Sequence, residues 1–227
     1  MKPAISIIIP AHNEEDYLRQ TLHSIKDQTY RNYEVIVVAN GCTDNTEEIA
    51  AKRGAKLLSM AKPNVSRARN YGASKASGDL LLFLDADTTL EKDSLKKIKD
   101  DFTEKYSIGT TLTKADLPDF KFKLAQSFKN FYSFTKLYKG CSGALICRRE
   151  DFDKVNGYDP NIIVKEHRKL VNQLLNHGEF LCVNTYTTTS MRRLKQWGIS
   201  KSAWFWVKQW VKDKTGNLEN TNYEKIR

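Results

Sequence analysis

Residues 79–88 read DLLLFLDADT, an uninterrupted apolar run that ends in two aspartates, Asp85 and Asp87, with one alanine between them. A continuous apolar run, rather than an alternating one, is typical of a strand that is buried on both faces. Three earlier runs have the same character, at residues 5–9, 34–39 and 55–59. The sequence therefore predicts four buried strands, with the two carboxylates at the end of the fourth.

Helical patterns separate these strands. Leu18, Leu22 and Ile25 recur at i, i+4 and i+7, and Asn13 before them is the expected N-cap. Residues 44–53 and 66–76 are predicted to form two further helices. The alternation predicts an α/β fold with a mixed, mainly parallel sheet flanked by helices, and ligands bind such sheets outside the carboxyl ends of the strands.

Composition favours a single compact domain. The chain has 227 residues, of which 40% are hydrophobic, and its four cysteines show no CxxC spacing. These features exclude a disulfide framework and a zinc site, so a reducing cytoplasm is the expected compartment. The apolar segment near the N-terminus is too short for a signal peptide, and no later run approaches the roughly 20 apolar residues of a membrane span.

The net charge of +10 indicates an anionic partner. Nucleotides, nucleic acids and acidic lipid surfaces all fit this charge. The charge alone does not distinguish among them.

A polar loop follows each predicted strand, so each loop is a candidate part of a site. The first three read PAHNEE (residues 10–15), NGCTDNT (40–46) and VSRARNYG (65–72). Their residue types can hydrogen-bond a base, a ribose or a phosphate at the start of a helix. Each loop taken alone also fits a simple turn with a helix cap.

The two aspartates of the fourth loop fit a cation site. In extended backbone their side chains would point to the same side, roughly 6 to 7 Å apart. Both could then reach one hard cation, Mg²⁺ or Mn²⁺, that keeps open positions for a diphosphate.

The motifs PAHNEE, NGCTDNT, SRARNYGAS and GDLLLFLDADTTL occur here in an order that resembles the family 2 inverting glycosyltransferases of GT-A fold. The resemblance continues more loosely through residues 140–152 and 155–159. It implies a glycosyltransferase domain over residues 1–195, with a nucleotide-sugar half at 1–105 and an acceptor half at 106–195.

The resemblance also implies roles for individual residues. Asp44 would contact the base, Asp85 would hold the ribose or metal-bound waters, and Asp87 would ligate Mg²⁺ or Mn²⁺. Gly143 would lie on the acceptor side. Arg192 or Arg193 would close over the diphosphate, unless these arginines only form an exposed basic loop. The full nucleotide-sugar set is Pro10, Ala11, Asn13, Glu14, Asn40, Asp44, Arg69, Asp85, Ala86, Asp87, Arg192 and Arg193.

The catalytic base is where this chain departs from the family. Family members usually carry Glu-Asp before a helix, whereas residues 166–167 here are Glu-His. Counting back from Gly178 as the helix C-cap places Glu166 and His167 at these positions. Glu166 is the preferred base and also an acceptor-side residue, and His167 is the second candidate because its ordinary pKa suits proton transfer. Alternatively, both only form a charged first turn.

Two aromatic and basic stretches suggest a membrane surface. Residues 196–212 form a Trp-rich amphipathic pattern ahead of a polar tail at 213–227, and residues 120–139 mix seven aromatics with five lysines. The acceptor would then be a saccharide or a lipid-linked sugar, and the enzyme would be peripheral on the cytoplasmic face of the membrane. Packing of the amphipathic helix on the core is the alternative.

Three other functions fit less well. A catalytically inactive sugar-nucleotide-binding protein would lack only the base. A nucleic-acid-binding module would explain the charge, but it leaves Asp85 and Asp87 facing a polyanion, so no nucleic acid is expected. A nucleotidyltransferase ranks third, because no Gly-rich phosphate loop with a lysine lies near the first strand.

Overall fold

The computed structural model describes residues 2–117, 120–137, 139–141, 143–162, 165–192, 195–198, 201, 204–205 and 208. The predictions made for Arg193, for most of residues 196–212 and for residues 213–227 fall outside these ranges.

Eight strands within these ranges form one sheet in the order β3-β2-β1-β4-β7-β6-β8-β5. They are β1 Ile5–Ala11, β2 Tyr33–Asn40, β3 Lys56–Met60, β4 Leu80–Phe83, β5 Thr88–Leu90, β6 Tyr106–Ala115, β7 Leu145–Arg148 and β8 Glu179–Thr189. Strands β1 to β4 are mutually parallel, and β6 is parallel to β8. Strand β7 is antiparallel to β4 and β6, and β5 is antiparallel to β8. This mixed sheet confirms the predicted fold class.

Helices cover both faces of the sheet. They are α1 Leu18–Lys26, α2 Thr46–Lys52, α3 Val65–Ser74, α4 Ser94–Asp101, α5 Phe120–Phe134, α6 Arg149–Lys154 and α7 Glu166–Leu174. Alternate residues of a strand point to opposite faces, so Ile7 and Ile9 pack with α1, α2 and α4, whereas Ile8 packs with α3, α6 and α7. Strand β1 is therefore buried on both faces, as its continuous apolar run predicts.

Several local predictions need correction. Strand β3 is at the sheet edge and half-exposed, because only β2 pairs with it. Helix α1 begins at Leu18 after Tyr17, and Asn13 lies well before it with a φ of +52°. Helix α7 ends at Leu174, so Gly178 lies beyond its C-cap, Leu175.

The sequence patterns also missed several elements of the described chain, namely β5, β6, β7, α4, α5 and α6. In the same part of the chain, no helix has both the length and the apolar character that a bilayer crossing requires.

Helix α3 packs closely on the sheet at Gly72. A Cβ atom at this position would lie 2.5 Å from Cγ2 of Ile8 and 3.1 Å from Cγ2 of Val38. Both neighbours are fully buried strand residues, so they have little room to move. The glycine is therefore required by the close approach of helix and sheet.

We expect Gly72→Ala to lower the free energy of unfolding by about 1 kcal/mol or more. Alanine favours a helix by about 1 kcal/mol over glycine, but overpacking a tight core costs typically about 1–3 kcal/mol, and the clash at Gly72 involves fully buried neighbours. Urea denaturation measures the difference. Ser74→Ala, at an exposed position of the same helix, is the matched control and should be neutral or slightly stabilising. Equal stability of Gly72→Ala and wild type would contradict the packing argument.

Candidate active site

The chain turns sharply where β4 ends. After Phe83, the Leu84 amide still donates to the Ile8 carbonyl at 3.0 Å, and a turn follows at residues 86–87. The backbone is therefore not extended through the two aspartates, as the sequence interpretation assumed. Asp85 and Asp87 instead pair with two different arginines.

Asp87 belongs to a cluster with Glu14 and Arg192. The Arg192 guanidinium donates two hydrogen bonds of 2.8 Å to Glu14, and its Nη2 lies 3.1 Å from Oδ2 of Asp87. Its Cζ also lies 4.6 Å from the ring centroid of Tyr17. Arg192 reaches Asp87 because the antiparallel pairing of Thr88 with Thr189 brings the end of β8 beside the turn that contains Asp87. We call Glu14, Asp87 and Arg192 the Arg192 cluster.

Asp87 is mostly buried in this cluster, with 16% of its side chain exposed. Burial and the charge of Asp85 raise its pKa to about 6, although Arg192 opposes the shift. The Asp87 carboxylate is thus ionised at neutral pH. Because its negative charge lies close to that of Asp85, a further positive charge beside the two carboxylates is favourable.

A second cluster surrounds Arg69. This arginine is 3% exposed and lies on α3, where its Nη2 donates to Asp85 at 2.9 Å and its Nη1 donates to Glu166 at 2.7 Å. Its Cζ lies 5.3 Å from the ring centroid of Tyr158. Arg69 therefore joins the end of β4 to the start of α7. We call Arg69, Asp85 and Glu166 the Arg69 cluster.

Glu166 is the first residue of α7 and is 7% exposed. The residue before it, Lys165, is left-handed with a φ of +61°, a conformation that non-glycine residues adopt at an energetic cost and mainly at functional sites. Within the described part of the chain, hydrogen bonds to Glu166 reach only Oε1. Oε2 is therefore the carboxylate atom that a ligand could engage.

His167 is a poorer base than its ordinary pKa suggests. Burial lowers its pKa to about 3, nearby Arg69 acts in the same direction, and Asp85 opposes both. Its Nδ1 shares a hydrogen bond of 3.0 Å with the Tyr158 hydroxyl. The ring is thus neutral and weakly basic, which removes the reason for which the sequence suggested it.

Helix α3 holds the segment that leads to Glu166. Asn64 donates to the Pro160 carbonyl at 3.0 Å, and the Ser66 hydroxyl donates to the Ile162 carbonyl at 2.8 Å. Asn70 bonds both backbone groups of Tyr158, at 2.8 and 2.9 Å. The sequence analysis missed Asn70 and Tyr158, because contacts between residues so far apart in the chain leave no local pattern.

The loops after β1 and β2 are bound to each other. Asn13 accepts from the Thr43 amide at 2.8 Å, while Asp44 accepts from the Thr46 and Glu15 amides at 3.0 and 3.1 Å. Burial opposes ionisation of Asp44, but the hydrogen bonds to its carboxylate outweigh it and hold its pKa below the usual value. Asp44 therefore already fixes the loop geometry.

The remaining predicted residues contribute mainly through their backbone. Ala11 and Ala86 are buried, and their carbonyls accept from Cys42 Sγ at 3.2 Å and from Thr21 Oγ1 at 2.7 Å. Pro10 is part of β1, and Asn40 is buried and accepts from the Asn64 amide at 2.7 Å.

Gly143 lies against the threonines of β6 and β8. A Cβ atom there would lie 2.6 Å from Oγ1 of Thr111 and would overlap Thr187. Only glycine fits this position without rearrangement.

The charges at these two clusters suit a divalent cation with a diphosphate. Four carboxylates, Glu14, Asp85, Asp87 and Glu166, face two arginines among the described residues, so these six groups carry an excess of two negative charges. The same ranges of the chain contain no group of three or more acidic, His or Cys ligands that could hold a metal ion by itself. This fits Mg²⁺ or Mn²⁺, which are commonly held by one or two carboxylates together with substrate phosphates.

Comparison with known proteins matches this site to a family. Residues 6–156 match the model of "Glycosyl transferase family 2". The chain belongs to glycosyl transferase family 2. The matched range contains Arg69, Asp85 and Asp87 but ends before Glu166 and Arg192, so the family match does not extend to those two residues.

Relatives in sequence include bacterial glycosyltransferases. The chain is 39% identical over 101 residues to an uncharacterized glycosyltransferase of Haemophilus influenzae, covering 42% of this chain and 40% of that protein. It is 37% identical over 99 residues to glycosyltransferase GlyA of Streptococcus pneumoniae, covering 41% and 14%. The matches thus span less than half the length of these relatives.

Solved structures confirm the GT-A type fold. The mannosyltransferase PcManGT from Pyrobaculum calidifontis, in complex with GDP-Man and Mn²⁺, has a TM-score of 0.70 and 16% identity over 83% of this chain and 57% of its own. TarS 1–349 of S. aureus, in complex with UDP-GlcNAc, has a TM-score of 0.63 and 20% identity over 84% and 58%. At these identities the likeness concerns the fold alone.

We expect Arg69→Met to lower the free energy of unfolding by about 3 kcal/mol, because it leaves the buried Glu166 carboxylate without its partner. Adding Glu166→Gln should recover part of this loss, since the uncompensated charge is then gone. Urea denaturation of the single and double variants measures both effects.

Lys96→Met is the matched control. It breaks an ion pair with Asp100 in which both side chains are more than half exposed, and such pairs contribute less than about 1 kcal/mol. A double variant no more stable than Arg69→Met would show that the Arg69 and Glu166 charges are not coupled.

Proposed function

We propose that this domain transfers a sugar from a nucleotide-diphosphate sugar to an acceptor hydroxyl, with a divalent cation and with inversion at the anomeric carbon. One observation carries the proposal. Arg69 bonds both Asp85, at the end of β4, and Glu166, at the start of α7. The same guanidinium thereby holds Glu166, a carboxylate that could act as the base, and Asp85, which binds the donor in this proposal.

The donor class is supported by the family match and by solved structures of similar fold. Structural neighbours carry UDP-GlcNAc in one case and GDP-Man with Mn²⁺ in another. The loops after β1 and β2 provide the nucleotide pocket in this proposal, with Asn13 and Asp44 at its polar edge. Calorimetry with different nucleotides identifies the nucleotide base, and the sugar is identified in turn from the donor that turns over.

Asp87 and Asp85 would hold the cation, which is Mg²⁺ or Mn²⁺. When bound, it offsets the charge that develops on the departing nucleoside diphosphate. Arg192 then has a second role, because its guanidinium can bond phosphate oxygens as it now bonds Glu14 and Asp87.

Glu166 acts as the general base. Its Oε1 is held by Arg69, and its Oε2 accepts the proton of the acceptor hydroxyl as the hydroxyl oxygen attacks the anomeric carbon. The bond between that carbon and the diphosphate oxygen breaks on the opposite side. A single displacement of this kind inverts the configuration.

The acceptor in this proposal is a saccharide or a lipid-linked sugar, and it binds on the side of Gly143 and Glu166. A lipid-linked acceptor would place the enzyme at the cytoplasmic face of a membrane. The aromatic and basic composition of residues 120–139 supports this version.

Donor binding is tested by isothermal calorimetry with UDP, GDP, dTDP and CDP, with and without Mn²⁺. We expect one nucleotide to bind only with the metal, and Asp87→Ala to abolish this binding because it removes the main cation ligand. Asp101→Ala, at an exposed position of α4, is the matched control and should bind as wild type does. Failure of every nucleotide to bind at any metal concentration would refute the proposed donor site.

The two base candidates are separated by turnover of the donor that binds, measured as release of the nucleoside diphosphate. Glu166→Gln should lower turnover by about 10²- to 10⁴-fold while leaving donor affinity within a few-fold, because a positioned base contributes to the chemical step.

His167→Gln should lower turnover only several-fold, since the neutral ring contributes little as a proton acceptor. The reverse ranking would identify His167 as the base. Donor binding without any turnover in wild type, with saccharide and lipid acceptors supplied, would instead favour the inactive sugar-nucleotide-binding alternative.

A further inference from the structure

Helix α5 is amphipathic, but its polar side faces the protein and its apolar side faces solvent. Its inward side carries Gln126, Asn130 and Ser133, which recur at i, i+4 and i+7 and are partly or fully buried. Asn130 anchors this side, accepting from the Thr113 amide at 2.9 Å and donating to the Thr113 carbonyl at 2.8 Å. Surface helices ordinarily turn their apolar side to the core. Here the polar side is packed on the protein.

The opposite side of α5 is apolar and exposed. Leu124, Phe128 and Phe131 recur at i, i+4 and i+7, and both phenylalanines are 60% exposed. Within the described residues, eight large hydrophobic side chains are exposed, and six of them fall within residues 124–137. We call these six the α5 outward face: Leu124, Phe128, Phe131, Tyr132, Phe134 and Leu137. Such a concentration marks an interaction surface rather than ordinary surface scatter.

All charged residues within residues 120–139 are basic: five are lysines, and none is an aspartate or glutamate. One of them, Lys136, lies 3.9 Å from the Glu179 carboxylate. A second copy of the chain docking on this face would bring like charges together. A nucleic acid would meet the cations but would leave the aliphatic Leu124 and Leu137 without a matching group. A bilayer interface with anionic headgroups matches both the apolar and the basic groups.

The inward side of α5 lies beside the proposed acceptor side. Thr113, which binds Asn130, lies close to Gly143, since a Cβ atom on that glycine would be 2.9 Å from Cγ2 of Thr113. The α5 outward face is separated from that glycine by the helix itself.

We propose that the α5 outward face binds the interface of an anionic lipid bilayer. The aromatic rings and leucines enter the boundary between headgroups and acyl chains, and the lysines of residues 120–139 pair with lipid phosphates. This inference does not depend on the proposed sugar transfer, because it rests on the exposure and charge of α5 alone.

Vesicle sedimentation tests the inference. We expect the full chain to pellet with vesicles of equimolar phosphatidylcholine and phosphatidylglycerol, and far less with phosphatidylcholine alone. The double variant Phe128→Ser/Phe131→Ser should bind the anionic vesicles roughly tenfold or more weakly, since it removes two exposed aromatic groups that would enter the bilayer interface. Tyr71→Ser, which changes an exposed aromatic of α3, is the matched control and should pellet as wild type does.

Three results would overturn the inference. The wild type could stay in the supernatant with anionic vesicles, or the double variant could pellet as well as wild type, which would place lipid binding elsewhere in the chain. Analytical ultracentrifugation without lipid could also show a dimer that the double variant abolishes, which would assign the face to a second copy.

Nucleotide calorimetry on the double variant separates this inference from the proposed function. Retained nucleotide binding with lost pelleting supports the α5 surface and leaves the donor site intact. Absence of nucleotide binding in wild type, with pelleting unchanged, contradicts only the proposed function.

Discussion

The buried guanidinium of Arg69 is the contact on which the site depends. Removing an arginine from water costs several kcal/mol, and this loss is offset only when carboxylates face it with good geometry. Asp85 and Glu166 meet that requirement from two distant parts of the sequence. Because each carboxylate needs the same cation, the end of β4 and the start of α7 are held at a fixed separation. The separation of Asp85 and Glu166 is thus fixed by the folding of the domain.

Helix α3 supplies this cation because it packs so closely on the sheet. Gly72 lets the helix approach Ile8 and Val38, and the same helix offers Asn70 and Ser66 to the backbone that leads into α7. Close packing and hydrogen bonding therefore act on one rigid element. An outward displacement of α3 by the size of one methyl group would move Arg69 relative to Asp85 and Glu166.

The sequence predicted the parts of the fold that depend on local pattern. The runs of β1, β2 and β4 are continuous because helices cover both faces. Strands β5 and β6 were missed because their many threonines do not read as an apolar run. Asp85 and Asp87 were found from the residue pattern, and Glu166, Glu14, Arg69 and Arg192 were named through the family resemblance, but the sequence did not predict which of these residues pair. Arg192 meets Glu14 across 178 residues, and only the pairing of β5 with β8 brings them together.

The threonines that hid β6 from sequence analysis also explain the reversed polarity of α5. Thr113, near the end of β6, presents a buried hydroxyl to α5, 3.3 Å from Oδ1 of Asn130. The buried hydroxyls of Thr111 and Thr187 bond each other and neighbouring backbone groups. A helix that packs on hydroxyl groups must offer hydrogen-bonding side chains, as Asn130 does, since buried polar groups without partners are costly. The apolar residues of α5 are then forced outward by the character of the sheet beneath. The hydroxyl-lined surface beside Gly143 and the outward position of the apolar α5 residues both follow from the threonines of β6 and β8.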